Sequence, residues 1–353
     1  MGREAPSERR VAGPRSMVRV QMVRSINDAL KRSAAAALLL ASLASPSLLA
    51  SAPEPETALD LEESATAPEP PVYAAPTTAD RVGRIMAPVM LNGLGPFLFI
   101  VDTGASHSAI SPRLAATLGL TPSMDKPLTV QGSTGSNVAP TVLVDRLEAG
   151  DMILKRHRMP VIAQGVLADA DGILGVEGFD KLRVTVDFDM NRIKISRFRE
   201  RRLAGNWFSV PVAFEFGRLM VATGRIGRVP VKAVIDTGAE RSLGNLALRT
   251  ALKLDQAAQQ EHTESQVIGA TEDEQAANTI TSPMILLGET ALVGVDVTYA
   301  DLNVFRLWDL MDEPALIVGM DVLGTVRALM FDYRRGELLF RLEGPLLIRR
   351  DQG

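Results

Sequence analysis

The 353-residue chain has no cysteine. That absence excludes disulfides, thiolate nucleophiles, cysteine-ligated zinc and a lipid-bearing terminal cysteine. Histidine is almost as scarce: His107, His157 and His262 are scattered without ligand spacing, which reads as surface or packed histidines and leaves no metal site to propose. Surplus positive charge is also missing. Residues 1–50 carry 8 Lys/Arg and 3 Asp/Glu, which leaves 30 basic and 39 acidic residues in the rest. Such a body does not suit nucleic acid, which rewards basic surfaces. Trp207 and Trp308, the two tryptophans, read as packing residues.

The N-terminus has the features of an address label. Arg24, Lys31 and Arg32 precede a run over residues 33–52 built of Ala, Leu and Ser, and the run ends in small residues. A basic stretch, an apolar stretch and small residues are the parts of a secretory signal. The run is also close to the roughly 20 residues that span a bilayer, so residues 1–52 are expected to be a cleaved leader or a retained membrane anchor. Residues 53–80 are rich in Pro, Ala and Glu and read as a disordered linker, because they cannot bury enough apolar surface to offset their ordering entropy.

The rest is organised around a repeat. Phe97–Val101 runs into Asp102-Thr103-Gly104-Ala105, and Val231–Ile235 runs into Asp236-Thr237-Gly238-Ala239, an offset of 134 residues. At the same offset Ser108 matches Ser242, and Leu114, Leu118 and Leu120 match Leu248, Leu252 and Leu254. One such tripeptide is a common turn after a strand. Two with repeating flanks indicate a duplicated unit, and the length accommodates two.

Local patterns predict the same element order in both units, 81–198 and 210–346, joined by 199–209. Short apolar strands flank turn residues such as Asn92-Gly93. Short helices are expected over 112–118 and 246–252, the first opened by Pro112. Residues 130–135 read as a glycine-punctuated hairpin tip, a strand is expected over 159–163, and each unit closes on an apolar-apolar-Gly stretch (Ile173-Leu174-Gly175, Ile317-Val318-Gly319) and a hairpin.

These motifs resemble those of retropepsin-like aspartic proteases, with two lobes in one chain as in pepsin-like enzymes. The resemblance covers about 85–342. It implies an all-β fold of two homologous barrel lobes with short helices, related by a pseudo-dyad, and it favours lobes paired within a monomer over pairing between chains. It also implies a catalytic pair, Asp102 and Asp236. Two carboxyl groups held close share one proton, so identical side chains supply an acid and a base. By the same resemblance Thr103 and Thr237 bond across the interface, Gly104 and Gly238 allow close approach, and Gly132, Ser133, Thr134 and Gly135 form a flap over substrate. Neither flap contains a tyrosine, and the second, Gly269–Glu274, is acidic with a single glycine, so the first lobe is expected to supply the working flap. Ser106 and Glu240 occupy equivalent places and differ between lobes. The expected activity is endopeptidase cleavage of protein or peptide substrates in the periplasm or cell envelope, without a cofactor. The alternative is a scaffold of the same fold that binds peptides and hydrolyses nothing.

Overall fold

A computed structural model describes residues 19–22, 75–76, 83–199, 207–254, 263–268 and 274–342. The apolar run 33–52, most of the linker 53–80 and the tip of the second flap lie outside the described residues. Among the described residues no helix is long and apolar enough to cross a membrane.

Strands dominate, and the duplication foreseen from the motif is visible in the sheet order. In the first lobe the neighbours run Ala109–Ile110, Gly172–Leu174, Leu94–Val101, Met86–Leu91. In the second they run Leu243–Gly244, Ala315–Val318, Val229–Ile235, Leu219–Ile226. Each lobe has one parallel pair in this set: Val101 lies beside Leu174, and Ile235 beside Val318. Those strands are apolar on both faces where they pair, with Phe99, Ile100, Val101, Val234 and Ile235 essentially inaccessible.

The predicted helices form as Pro112–Thr117 and Leu246–Ala251. Their starts are chemically equivalent. Ser111 Oγ accepts from the Leu114 amide and Asn245 Oδ1 from the Leu248 amide, at 3.0 and 2.8 Å. Leu114 and Leu248 are buried at equivalent places on the two helices.

Both lobes were expected to close into barrels, yet no closed barrel forms among the described residues. The first lobe's strand path runs from Ala109–Ile110 to Ser123–Gln131, and beyond Ala109–Ile110 there is a single isolated bridge, from Ile110 to Val161. Ser123–Gln131 pairs only with Ser136–Ala149, so the two project as a hairpin instead of returning to seal the sheet. The strand expected over 159–163 is instead Met152–Pro160, paired along Ser136–Ala149. A short helix, Gln164–Leu167, follows it.

A sheet shared by the two lobes underlies the site. Its order is Arg192–Arg197, Leu182–Asp187, Ala328–Asp332, Glu337–Arg341, Trp207–Glu215, so the closing hairpins of the lobes lie edge to edge. Val184 faces Ile195 within its own hairpin and Phe331 across the junction. One buried apolar cluster runs through both lobes, from Val101, Leu174 and Val184 to Val234, Val318 and Phe331. At the outer edges, Ala75–Pro76 pairs with Arg192 and Ile193, and Arg19–Met22 lies along Thr290–Val293.

Candidate active site

Each Asp-Thr-Gly loop leaves the end of a parallel-paired strand and is tied to the strand beside it. The Asp102 amide donates to Leu174 O at 3.1 Å, and the Asp236 amide to Val318 O at 3.0 Å. Two residues later in each case, the Val176 amide donates to Ala105 O and the Met320 amide to Ala239 O, at 2.9 and 2.8 Å. The loops are therefore pinned at both ends, and the two pinnings are copies of each other.

The threonines lock the loops together across the seam. The Thr103 amide donates to Thr237 Oγ1 and the Thr237 amide to Thr103 Oγ1, at 3.1 and 3.0 Å. Each hydroxyl then donates into the opposite lobe, Thr103 to Ile235 O at 2.8 Å and Thr237 to Val101 O at 2.6 Å. Both side chains are fully buried. Burial of two hydroxyls is tolerated because every donor and acceptor is matched.

This lock brings the two carboxyl groups face to face. A Cβ added at Gly104 would collide with the Asp236 carboxyl carbon, and one added at Gly238 with that of Asp102. Only glycine leaves room for the opposite acid at these two places. The Gly104 amide donates to Asp102 Oδ1 at 2.8 Å, and the Gly238 and Ala239 amides donate to Asp236 Oδ1 at 2.8 and 3.2 Å.

The pair is electrostatically uneven. Burial, followed by the charge of Asp236, pushes Asp102 up to about 8, against the opposing pull of the Gly104 amide and the Arg84 cation. Burial raises Asp236 as well, but the Gly238 and Ala239 amides and a hydrogen bond from Asp102 counter it. The two acids share a proton and titrate as a unit, and the two amides on Asp236 against one on Asp102 favour the negative charge on the Asp236 side. An acid and a base side by side can deprotonate a water and protonate a carbonyl oxygen in one step.

Behind each loop stands a second acid whose role the sequence did not reveal. Ser108 Oγ accepts from the Gly175 amide and Ser242 Oγ from the Gly319 amide, at 3.1 and 3.2 Å. The Ser108 amide donates to Glu177 Oε1 at 2.8 Å, and the Ser242 amide to Asp321 Oδ2 at 3.0 Å. Glu177 also meets His157 Nε2 at 3.0 Å. Burial would raise Glu177, but the His157 and Ser108 hydrogen bonds outweigh it and hold the carboxyl below its ordinary value. For Asp321 burial wins and the shift is upward. The signal was present, since an acid follows two residues after each closing glycine. Gly83-Arg84-Ile85-Met86 and Gly217-Arg218-Leu219-Met220 likewise repeat at the 134-residue offset, and Arg84 is the cation that acts on Asp102.

The remaining predicted residues fall in two groups. Gly132 to Gly135 form a tight turn, closed by the Gly132 amide on Gly135 O at 2.7 Å, at the tip of the projecting hairpin. Val130 of that hairpin and Ala105 of the catalytic loop pack on one buried cluster. Ser106 meets His107 Nδ1 at 3.0 Å. Glu240 is exposed, with its carbonyl accepting from Asp321 N at 3.0 Å.

Two lobes with the same strand order, each delivering one carboxylate to a common seam, define an acid-protease fold. The aspartyl protease family profile matches the chain twice, at residues 87–177 and 222–322, one match to each lobe. The chain belongs to the aspartyl protease family, in its retropepsin-like form. No curated protein matches it.

Proposed function

We propose that the protein is an aspartic endopeptidase that hydrolyses peptide bonds with a water held between Asp102 and Asp236. Asp236, which carries the charge, takes a proton from the water. Asp102, which carries the proton, gives it to the carbonyl oxygen of the scissile amide, and a tetrahedral intermediate forms. Collapse of that intermediate requires a proton on the leaving nitrogen, which the acid formed at Asp236 supplies, while Asp102 recovers its own. The dyad thus returns to its starting state.

The observation that carries this reading is the reciprocal fit of glycine and acid, Gly104 against Asp236 and Gly238 against Asp102. A peptide-binding scaffold has no need to hold two buried carboxyl groups together, because that arrangement opposes folding at neutral pH. The leader-like N-terminus supports action outside the cytoplasm, in the periplasm or envelope, and the shared sheet supports a monomer that carries both halves of its site.

The test is cleavage of a diverse peptide pool by the full chain, with Asp102→Asn and Asp236→Asn controls. Cuts made by the parent and lost in both variants support the enzyme. An unreactive parent that still binds peptides supports the scaffold.

A further inference from the structure

The flap does not hang free over the seam. Its tip is hydrogen-bonded to the other lobe, at the start of the helix Asn303–Leu307. The Asn303 carboxamide donates from Nδ2 to Gly135 O at 3.1 Å, Gly132 O at 3.3 Å and Ser136 Oγ at 3.4 Å. Beside it, the Val304 amide donates to Ser133 O at 3.3 Å. One side chain and one backbone amide of the second lobe therefore meet four residues of the first lobe's turn, Gly132, Ser133, Gly135 and Ser136.

The two partners differ in rigidity. The helix is fixed, because Phe305 is fully buried and Trp308 packs edge-on to it and stacks on Phe216, with ring centroids 6.2 and 5.3 Å away. The flap strand Ser123–Gln131 has no fully buried residue, and it pairs with one neighbour. Asn303 does not cap its own helix, whose N-cap is Leu302 without a side-chain hydrogen bond. A half-buried carboxamide at this place is spent on the flap instead.

We propose, on the peptidase reading of the site, that Asn303 is a positioning residue that latches the flap across the seam and sets which substrates enter. With the tip tied to both lobes, the cleft is covered from above. A short peptide slides in from the side, whereas an internal segment of a folded or cyclic polypeptide needs the latch to release first. Long hydrogen bonds at a partly exposed place are suited to that cycle, since water can replace each of them as it opens. An enzyme whose competent state is only partly populated binds as if weakened by that fraction, so removal of the latch raises apparent affinity.

The experiment compares the full chain with Asn303→Ala, Asn303→Gln and Asn303→Asp. Hydrogen exchange is read at the flap amides, and hydrolysis is measured on a short linear peptide and on the same sequence inserted in a protein loop. In Asn303→Ala the Gly132 and Val304 amides should exchange about tenfold faster while the shared base sheet is unchanged, as expected for loss of interactions that together amount to roughly one factor of ten. Asn303→Asp, which cannot donate and repels the carbonyls, should do the same, and Asn303→Gln should restore part of the protection. For the loop substrate KM should fall several-fold in Asn303→Ala with kcat held, and for the short peptide both should stay as they are. Flap exchange equal to the parent in Asn303→Ala and Asn303→Asp overturns the latch. A lower kcat on both substrates at unchanged KM overturns the gating role. Faster flap exchange in a protein that cleaves neither substrate keeps the latch and sinks the peptidase reading.

Discussion

At the scale of single residues, the dyad makes a prediction in which stability and activity move in opposite directions. The folded-state value of Asp102 lies above its ordinary one, so the folded protein holds a proton that the unfolded chain has already released. Stability therefore falls as pH rises from the ordinary carboxylate range to about 8. Asp102→Asn removes the proton and that penalty together. Its melting temperature at pH 7 should exceed the parent's, by about 2–4 °C for each kcal/mol relieved, and the gap should close near pH 4. Its peptide cleavage should drop by about 10²–10⁴-fold. Calorimetry of parent and variant at both pH values checks the first part, and equal melting at pH 7 would show that Asp102 is not buried beside a second acid. Activity needs one proton on the pair, so the rate should rise on the acid side as the first proton leaves and fall on the alkaline side near pH 8. The threonines give the converse case. Thr237→Val removes the acceptor of the Thr103 amide and the donor to Val101 O, both buried, and should cost about 1–3 kcal/mol of stability in a denaturant titration.

Between residues and the whole lie the hairpins that form the shared sheet, and their ion pairs cross the junction in both directions. Arg183 of the first lobe donates to Asp332 Oδ2 of the second at 2.6 Å, and Arg341 of the second to Asp187 Oδ2 of the first at 3.0 Å. Asp332 is wholly inaccessible, and its other oxygen accepts the Arg334 and Arg335 amides that turn the hairpin. Arg183→Ala leaves a buried carboxylate short of its cation. A loss of about 3 kcal/mol, the low end for a broken buried pair, is expected because those two amides remain. Chemical denaturation measures it, and a change below about 1 kcal/mol would mean that solvent reaches Asp332 freely. These hairpins were legible as hairpins, because Arg183–Phe188 alternates as a half-buried strand does and Ala328–Phe331 is a short apolar run of the kind a fully buried strand shows. That they pair with each other was not, since edge-to-edge contact leaves no mark on either local pattern. The dyad and its glycines were readable from a repeat at constant spacing. Met152–Pro160 was misplaced for a physical reason: Lys155, Arg156, His157 and Arg158 interrupt the apolar alternation, and the strand exists because Ser136–Ala149 pairs along it. Asn303 gave no signal at all, as its partners lie some 170 positions away in sequence.

At the scale of the molecule, the remaining question is whether one chain completes its own site. Both aspartates, both threonines and the paired base hairpins come from the same polypeptide in the structure, and the four bonds of the threonine lock join positions 132–136 apart. The same lobes exchanged between two copies would give each dyad one acid from either chain. The two arrangements separate in a mixing experiment. Asp102→Asn and Asp236→Asn chains, each inactive alone, are unfolded together, refolded together and assayed. If lobes pair within a chain, every site contains one asparagine and activity stays at the level of the separate variants. If lobes pair between chains, half of the dimers are mixed and one of their two sites has both acids, so about a quarter of the parent's activity returns. No recovery is the expected result, alongside a solution mass of one chain by light scattering. The shared sheet is the reason: its central junction, Leu182–Asp187 on Ala328–Asp332, buries Val184 and Phe331 on strands joined through one continuous chain. Closing that junction within a chain carries only a loop-closure entropy that grows slowly with length, whereas a second copy must also give up its free translation and rotation.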